Sequence, residues 1–221
     1  MRQPLAKRVV AEALGTFFLL AAVVGSGIMA ERLAGGNTAL ALLANTAATG
    51  AALVALIISF ASISGAHFNP VVTLSFALRH DLVWKEVPFY LLAQLGGGIG
   101  GVIAANLMFG LPAVFLSHHP RTGMAQLFSE FIATLGLVSV ILAASRSHVA
   151  VIAIAVGSYI SAAYWFTAST SFANPAVTVA RSLSDSFAGI RPADAPGFVL
   201  AQLAGGIAAT VLFRWLMPDS I

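Results

Sequence analysis

One short pattern occurs twice in the chain and limits what the chain can become. The first copy is Ser64-Gly65-Ala66-His67-Phe68-Asn69-Pro70-Val71-Val72-Thr73-Leu74; the second is Ser169-Thr170-Ser171-Phe172-Ala173-Asn174-Pro175-Ala176-Val177-Thr178-Val179. In each, Asn-Pro opens an apolar run. Asn is a favoured N-cap because its side chain accepts from the free N–H groups of the first turn. Pro fits the first helical position, where a missing N–H costs nothing. Each copy therefore predicts a loop, a cap and a short helix, over residues 69–79 and 174–184. A helix of about ten residues is about 15 Å long, half of a hydrocarbon core of roughly 30 Å. Two of them end to end would cross it.

The surrounding sequence places both copies in a membrane. Of 221 residues, 59% are hydrophobic and 9% charged, far too apolar for a soluble domain. Sparse charges divide the chain into apolar runs long enough to span. These predict helices over 9–30, 38–62, 84–109, 124–145, 148–168 and 197–217. The first, behind Lys7 and Arg8, is too long for the apolar core of a signal peptide and is expected to be a retained span. The pI of 9.8 needs no nucleic acid to explain it; basic flanks on membrane helices suffice. With no cysteine, disulfides and thiolate-held metals are excluded.

The order is three spans with a half-helix after the second, twice over. Ala11-Glu12-Ala13-Leu14-Gly15-Thr16 echoes Ser129-Glu130-Phe131-Ile132-Ala133-Thr134, and Leu92-Ala93-Gln94-Leu95-Gly96-Gly97 echoes Leu200-Ala201-Gln202-Leu203-Ala204-Gly205. An odd number of spans per repeat inverts the second copy. The expected fold is thus an all-α membrane protein of six transmembrane helices and two re-entrant half-helices. It forms one channel domain over residues 1–221, with repeats at about 1–110 and 122–221. Arg2, Lys7, Arg8, Arg79, Lys85, Arg146 and Arg214 outnumber Arg32, Arg121, Arg181 and Arg191, which puts both termini in the cytoplasm.

Corresponding interrupted segments in two halves mark a conduction site. The half-helix N-termini would meet at mid-membrane, each with a partial positive charge, and Asn69 and Asn174 would add amide donors. Irregular backbone at this depth must face protein or a cavity, so the carbonyls of 64–68, among them Gly65, Ala66, His67 and Phe68, and those of 169–173 are expected to line a path. A neutral hydroxylated solute can accept from the amides and donate to the carbonyls. A cation meets both desolvation and the dipoles. This is a passive pore for small neutral solutes.

These residues resemble the aquaporin family, the major intrinsic proteins, over nearly the whole chain. The resemblance rests on both Asn-Pro motifs with Ser64 to Phe68 before the first, Ala176 after the second, Glu12 and Glu130, and Gln94 and Gln202. It implies a pore constriction at Asn69, Pro70, Val71, Asn174, Pro175 and Ala176. Glu12 and Glu130 would brace the re-entrant loops, four copies would form a homotetramer in lipid, and neither cofactor nor metal would be needed. Two positions depart from the pattern. Val71 stands where the family usually has Ala, which is expected to change packing only. Val177 stands where most members place the arginine of the selectivity filter. By offset, the remaining filter positions fall on Thr49, Ala162 and Ser171. Such a filter lacks the aromatic and histidine side chains of water-selective members and would be wide and uncharged. The chain thus resembles bacterial aquaglyceroporins of the arsenical-resistance type, which implies passage of glycerol, water and metalloid hydroxides such as arsenite across the inner membrane.

Other residues admit plainer readings. Arg181, one turn beyond Val177, is either a displaced filter arginine or a cation near a helix C-terminus reaching toward water; the second is the expectation. Glu12 and Glu130 could relay protons, but no chain of acids links them. His67 could act as a protonation gate; a packed side chain with its carbonyl toward the pore is expected instead. His118 and His119 lack the further ligands of a metal site. A general glycerol and water facilitator, a coupled transporter and a structural membrane protein remain the alternatives. The transporter would need an ion-binding carboxylate in the pore, and a structural protein would not need two intact Asn-Pro caps.

Overall fold

The structure, a computed structural model, describes residues 3–217. Arg2 and the expected domain limits at residues 1 and 221 lie outside that range. The helices are α1 (Leu5–Leu33), α2 (Thr38–Ser64), α3 (Pro70–Leu78), α4 (Val87–Met108), α5 (Met124–Ala144), α6 (Val149–Phe166), α7 (Pro175–Arg181) and α8 (Ala195–Leu216). A 3-10 turn, Trp84–Glu86, leads into α4. Six of the helices are long and apolar enough to cross a membrane.

The ends of these helices follow from local chemistry. Asn37 caps α2 by accepting from Leu40 N–H. Gly65 ends it in the left-handed region, at φ 93°, a conformation that costs glycine little. Asn69 and Asn174 are the extended N-caps of α3 and α7, with Pro at the first position of each. Both half-helices are shorter than expected. The segment after Leu78 turns through Arg79 and His80, and α7 stops at Arg181, where residues 182–194 fold back over its end.

Helix α1 packs on α2 and α4, α5 on α6 and α8, and α2 on α6 across the middle. Both α3 and α7 pack against α4 and α8, and against each other. Close crossings depend on missing side chains. A Cβ on Gly97 or Gly101 would strike the Ala13 and Phe17 carbonyls of α1, and one on Gly205 would strike the Phe131 carbonyl of α5. Gly206 makes room for a different neighbour, since a Cβ there would collide with Val71. The larger residue after the first Asn-Pro is therefore accommodated by a bare position on α8. Val71 sits with Val138, Leu142 and Ala209 and does not line the lumen. The outer surface is apolar as well, with Phe18, Leu92, Phe128 and Trp215 each more than half exposed. In a membrane these face lipid or neighbouring helices, where apolar side chains are at home.

Candidate functional site

The two re-entrant loops are built by matching sets of bonds. Glu12, fully buried in α1, accepts from the backbone N–H of His67 at 3.0 Å and of Phe68 at 2.7 Å. Glu130, equally buried in α5, accepts from Phe172 and Ala173 N–H, both at 2.9 Å. Gln94 of α4 donates to Glu12 and to Thr73 of α3; Gln202 of α8 donates to Glu130 and to Thr178 of α7. Each carboxylate thus ties a long helix, a loop and a half-helix together. With their oxygens committed to these donors, neither is available as a proton relay.

The braced loops hold an uncommon backbone. Ala66 and Phe68, and Thr170, Ser171 and Ala173, all have φ between 47° and 61°. Such values strain side chains with a Cβ and persist where surrounding bonds enforce them. The twist turns carbonyls inward. Those of Gly65, Ala66, Ser171 and Phe172, residues that line the lumen, have no donor among the described residues. At the centre the halves interlock. Asn69 Nδ2 donates to Ala173 O and Asn174 Nδ2 donates to Phe68 O, both at 2.8 Å. Their Oδ1 atoms meanwhile accept from Val71 N and from Ala176 N and Val177 N. One N–H of each amide is left for the lumen.

That lumen is a cavity of about 280 Å³. It runs from Phe76, Ser145 and Val149 near the α3 end, past Asn69 and Asn174, to Tyr164 and Arg181 at the α7 end. Gly65, Ala66, His67 and Phe68 line it, as do Thr49, Ser171 and Val177. Pro70, Val71, Pro175 and Ala176 are buried in the half-helix starts behind the wall. The His67 ring packs beside Phe76 and Tyr90, with Nδ1 3.1 Å from Thr73 Oγ1. His118 engages Asp185 at 2.9 Å.

Two expectations are corrected. Ala162 is exposed on the outside of α6. The inward face of α6 follows Ala153, Val156, Gly157, Ile160, Ala163 and Tyr164, the 3–4 spacing of a helix stripe, and Ala162 falls off it. Tyr164 lines the lumen, its hydroxyl 3.3 Å from Thr49 Oγ1. Arg181 does not reach toward water: it is 2% exposed and lines the lumen. Its guanidinium lies over the Phe172 ring, with Cζ 3.4 Å from the centroid, and Nε donates to Ala188 O. Arg121 takes the same ring from 4.9 Å and ties down the carbonyls of Ser169 and Gly189. Tyr164, Phe172 and Arg121 had no part in the filter expected from the sequence, and α6, apolar all round, carries no signal that would have placed Tyr164 there.

Residues 1–148 match the family model described as Major intrinsic protein. The chain is 55% identical to Aquaglyceroporin AqpS of Rhizobium meliloti (strain 1021), over 98% of this chain and 92% of that protein. It is 33% identical to Aquaporin NIP1-4 of Oryza sativa subsp. japonica, over 90% of this chain and 72% of that one. The solved aquaglyceroporin from Plasmodium falciparum has the same fold, with a TM-score of 0.73 at 20% identity over 97% of this chain and 98% of that chain.

Proposed function

The chain belongs to the major intrinsic protein family, and from that premise we propose that it carries glycerol, related polyols, water and neutral metalloid hydroxides down their gradients through a bacterial inner membrane. It is a multi-pass membrane channel for small solutes and not an enzyme. The observation that carries the finer reading is Val177. An apolar side chain occupies the lumen wall where the family's filter arginine would stand, beside Thr49 and Ser171. A wall of that kind leaves room for a solute larger than water. Arsenite and antimonite are uncharged trihydroxides in neutral water and present the same hydroxyl chemistry as glycerol. A pore that exchanges hydrogen bonds with hydroxyl groups has no means of refusing them. In a metalloid-exposed cell the flux would be outward whenever the inside concentration is higher, which suits a role in resistance.

The name of the Rhizobium meliloti relative supports solutes beyond water. A homotetramer with one lumen per subunit, and both termini in the cytoplasm, complete the proposal. The belt of exposed apolar side chains suits both lipid and neighbouring copies. Coupled transport is disfavoured because both buried carboxylates are already bonded to loop amides.

The test is flux into liposomes and cells. Vesicles with reconstituted protein should reswell in glycerol faster than empty vesicles, with no dependence on ion gradients. Expression in cells lacking their own glycerol channel should raise arsenite accumulation. Unchanged arsenite with rapid glycerol would leave a general polyol channel, and no flux of either would remove the reading.

A further inference from the structure

Polar side chains line the lumen at several levels, and at two of them more than one group gathers. One is the mid-membrane crossing of Asn69 and Asn174. The other lies at the α7 end, and nothing in the braces or caps accounts for it. Val177 and Arg181 are one turn apart on the same face of α7, and both line the lumen. Moving the cation a turn along the helix clears the level of Val177 while keeping a guanidinium in the pore.

That guanidinium has unspent capacity. Arg181 is 2% exposed, and burying a charge is costly unless it is compensated. No carboxylate pairs with it among the described residues. Its only protein acceptor among them is Ala188 O, at Nε, and the ring of Phe172 covers one face. Nη1 and Nη2 have no acceptor among the described residues, yet they are not sealed from the cavity. Their hydrogens must be met by whatever fills the lumen. Ser171, also 2% exposed, carries a second unspent group: its Oγ is buried with no partner among the described residues, in a residue that lines the lumen. Thr49 and Tyr164 add hydroxyls that are bonded to each other.

We propose that Arg181 and Ser171, with the Thr49–Tyr164 hydroxyl pair, form a binding station for small neutral molecules that carry hydroxyl groups on neighbouring atoms. Arginine only donates, so the solute must offer oxygen lone pairs. Serine accepts as well, so the solute must also offer O–H hydrogens. A polyol or a metalloid hydroxide offers both on adjacent oxygens, while an organic cation is repelled. The station rests on the channel reading above and names the residues that discriminate among its solutes.

The experiment measures the initial rate of glycerol influx into proteoliposomes against glycerol concentration, with water permeability recorded beside it. Wild-type flux should saturate. Arg181→Gln and Ser171→Ala should each raise the half-saturating glycerol concentration by about tenfold or more, the loss expected of a hydrogen bond to a charged or buried group. Arg181→Lys should fall between wild type and Arg181→Gln, and water permeability above that of empty vesicles identifies the variants whose pore has formed. Ser171→Ala breaks no internal bond, so it decides the matter even if Arg181→Gln fails to fold. If wild type carries glycerol and Ser171→Ala and any folded Arg181→Gln keep its concentration dependence, the station is overturned and the channel reading stands. If wild type carries no glycerol, both are overturned.

Discussion

Position 177 is valine, and Arg181 stands one turn along the same face of α7, both against the lumen. Restoring arginine at 177 would place two guanidinium groups on one face of α7, where like charges destabilise one another, and would fill the widened wall. Val177→Arg should lower glycerol permeability by about tenfold, the effect of roughly 1.4 kcal/mol on the barrier, and water permeability by less. Stopped-flow light scattering on the same vesicles reads both. Equal loss of the two would point to damaged folding and not to selectivity. The site was partly legible from residues alone. Asn69, Asn174, Glu12, Glu130, Gln94 and Gln202 stand out as polar groups on an apolar background, and each has a counterpart at a matching place in the other half. Ala162 and Arg181 were misplaced for a physical reason. Membrane helices are apolar on every side, so α6 carries no amphipathic phase to say which of Ala162 and Tyr164 points inward. Arg181 is held by Phe172 and by the carbonyl of Ala188, contacts made by loops whose paths the local sequence does not encode.

Among the elements, the connection between the two halves is anchored rather than loose. Phe115 N–H donates to Leu183 O and Ser117 N–H to Ser182 O, and His118 bonds Asp185 through both backbone and ring. This docks residues 115–118 onto the turn that follows α7. Two titrating groups link that docking to pH. The His119 pKa is lowered from 6.5, by burial first and then by the positive charges of Arg121 and Arg181. The docked state thus favours neutral His119, and docking weakens as pH falls below 6.5. The Asp185 pKa is lowered from 3.8, chiefly by its bond to the His118 side chain. Its contribution is present above 3.8 and is lost as pH falls through the lowered native value. Both act in one direction. Hydrogen exchange, corrected for intrinsic rate, should show protection at Phe115, Ser117 and His118 N–H falling from pH 6.5 downwards, while the amides held by Glu130 stay protected. Protection that rises on acidification would rule this out.

For the molecule as a whole, the pore belongs to neither half. Residues 1–110 hold α1 to α4 and could insert as a bundle, but the Asn69 amide finds its acceptor on Ala173 and Phe68 O finds its donor on Asn174. The first half by itself should give vesicles no glycerol permeability above background. Co-expression with residues 111–221 should restore it, as read by the same swelling assay. Permeability from residues 1–110 without the second piece would contradict this. The crossed amides therefore also set a timetable. A ribosome feeding this chain into a membrane delivers the first half well before Asn174 leaves the exit tunnel. During that interval the Asn69 amide has no acceptor across the pore. A conduit whose centre is completed only by its last third cannot leak while it is still being made.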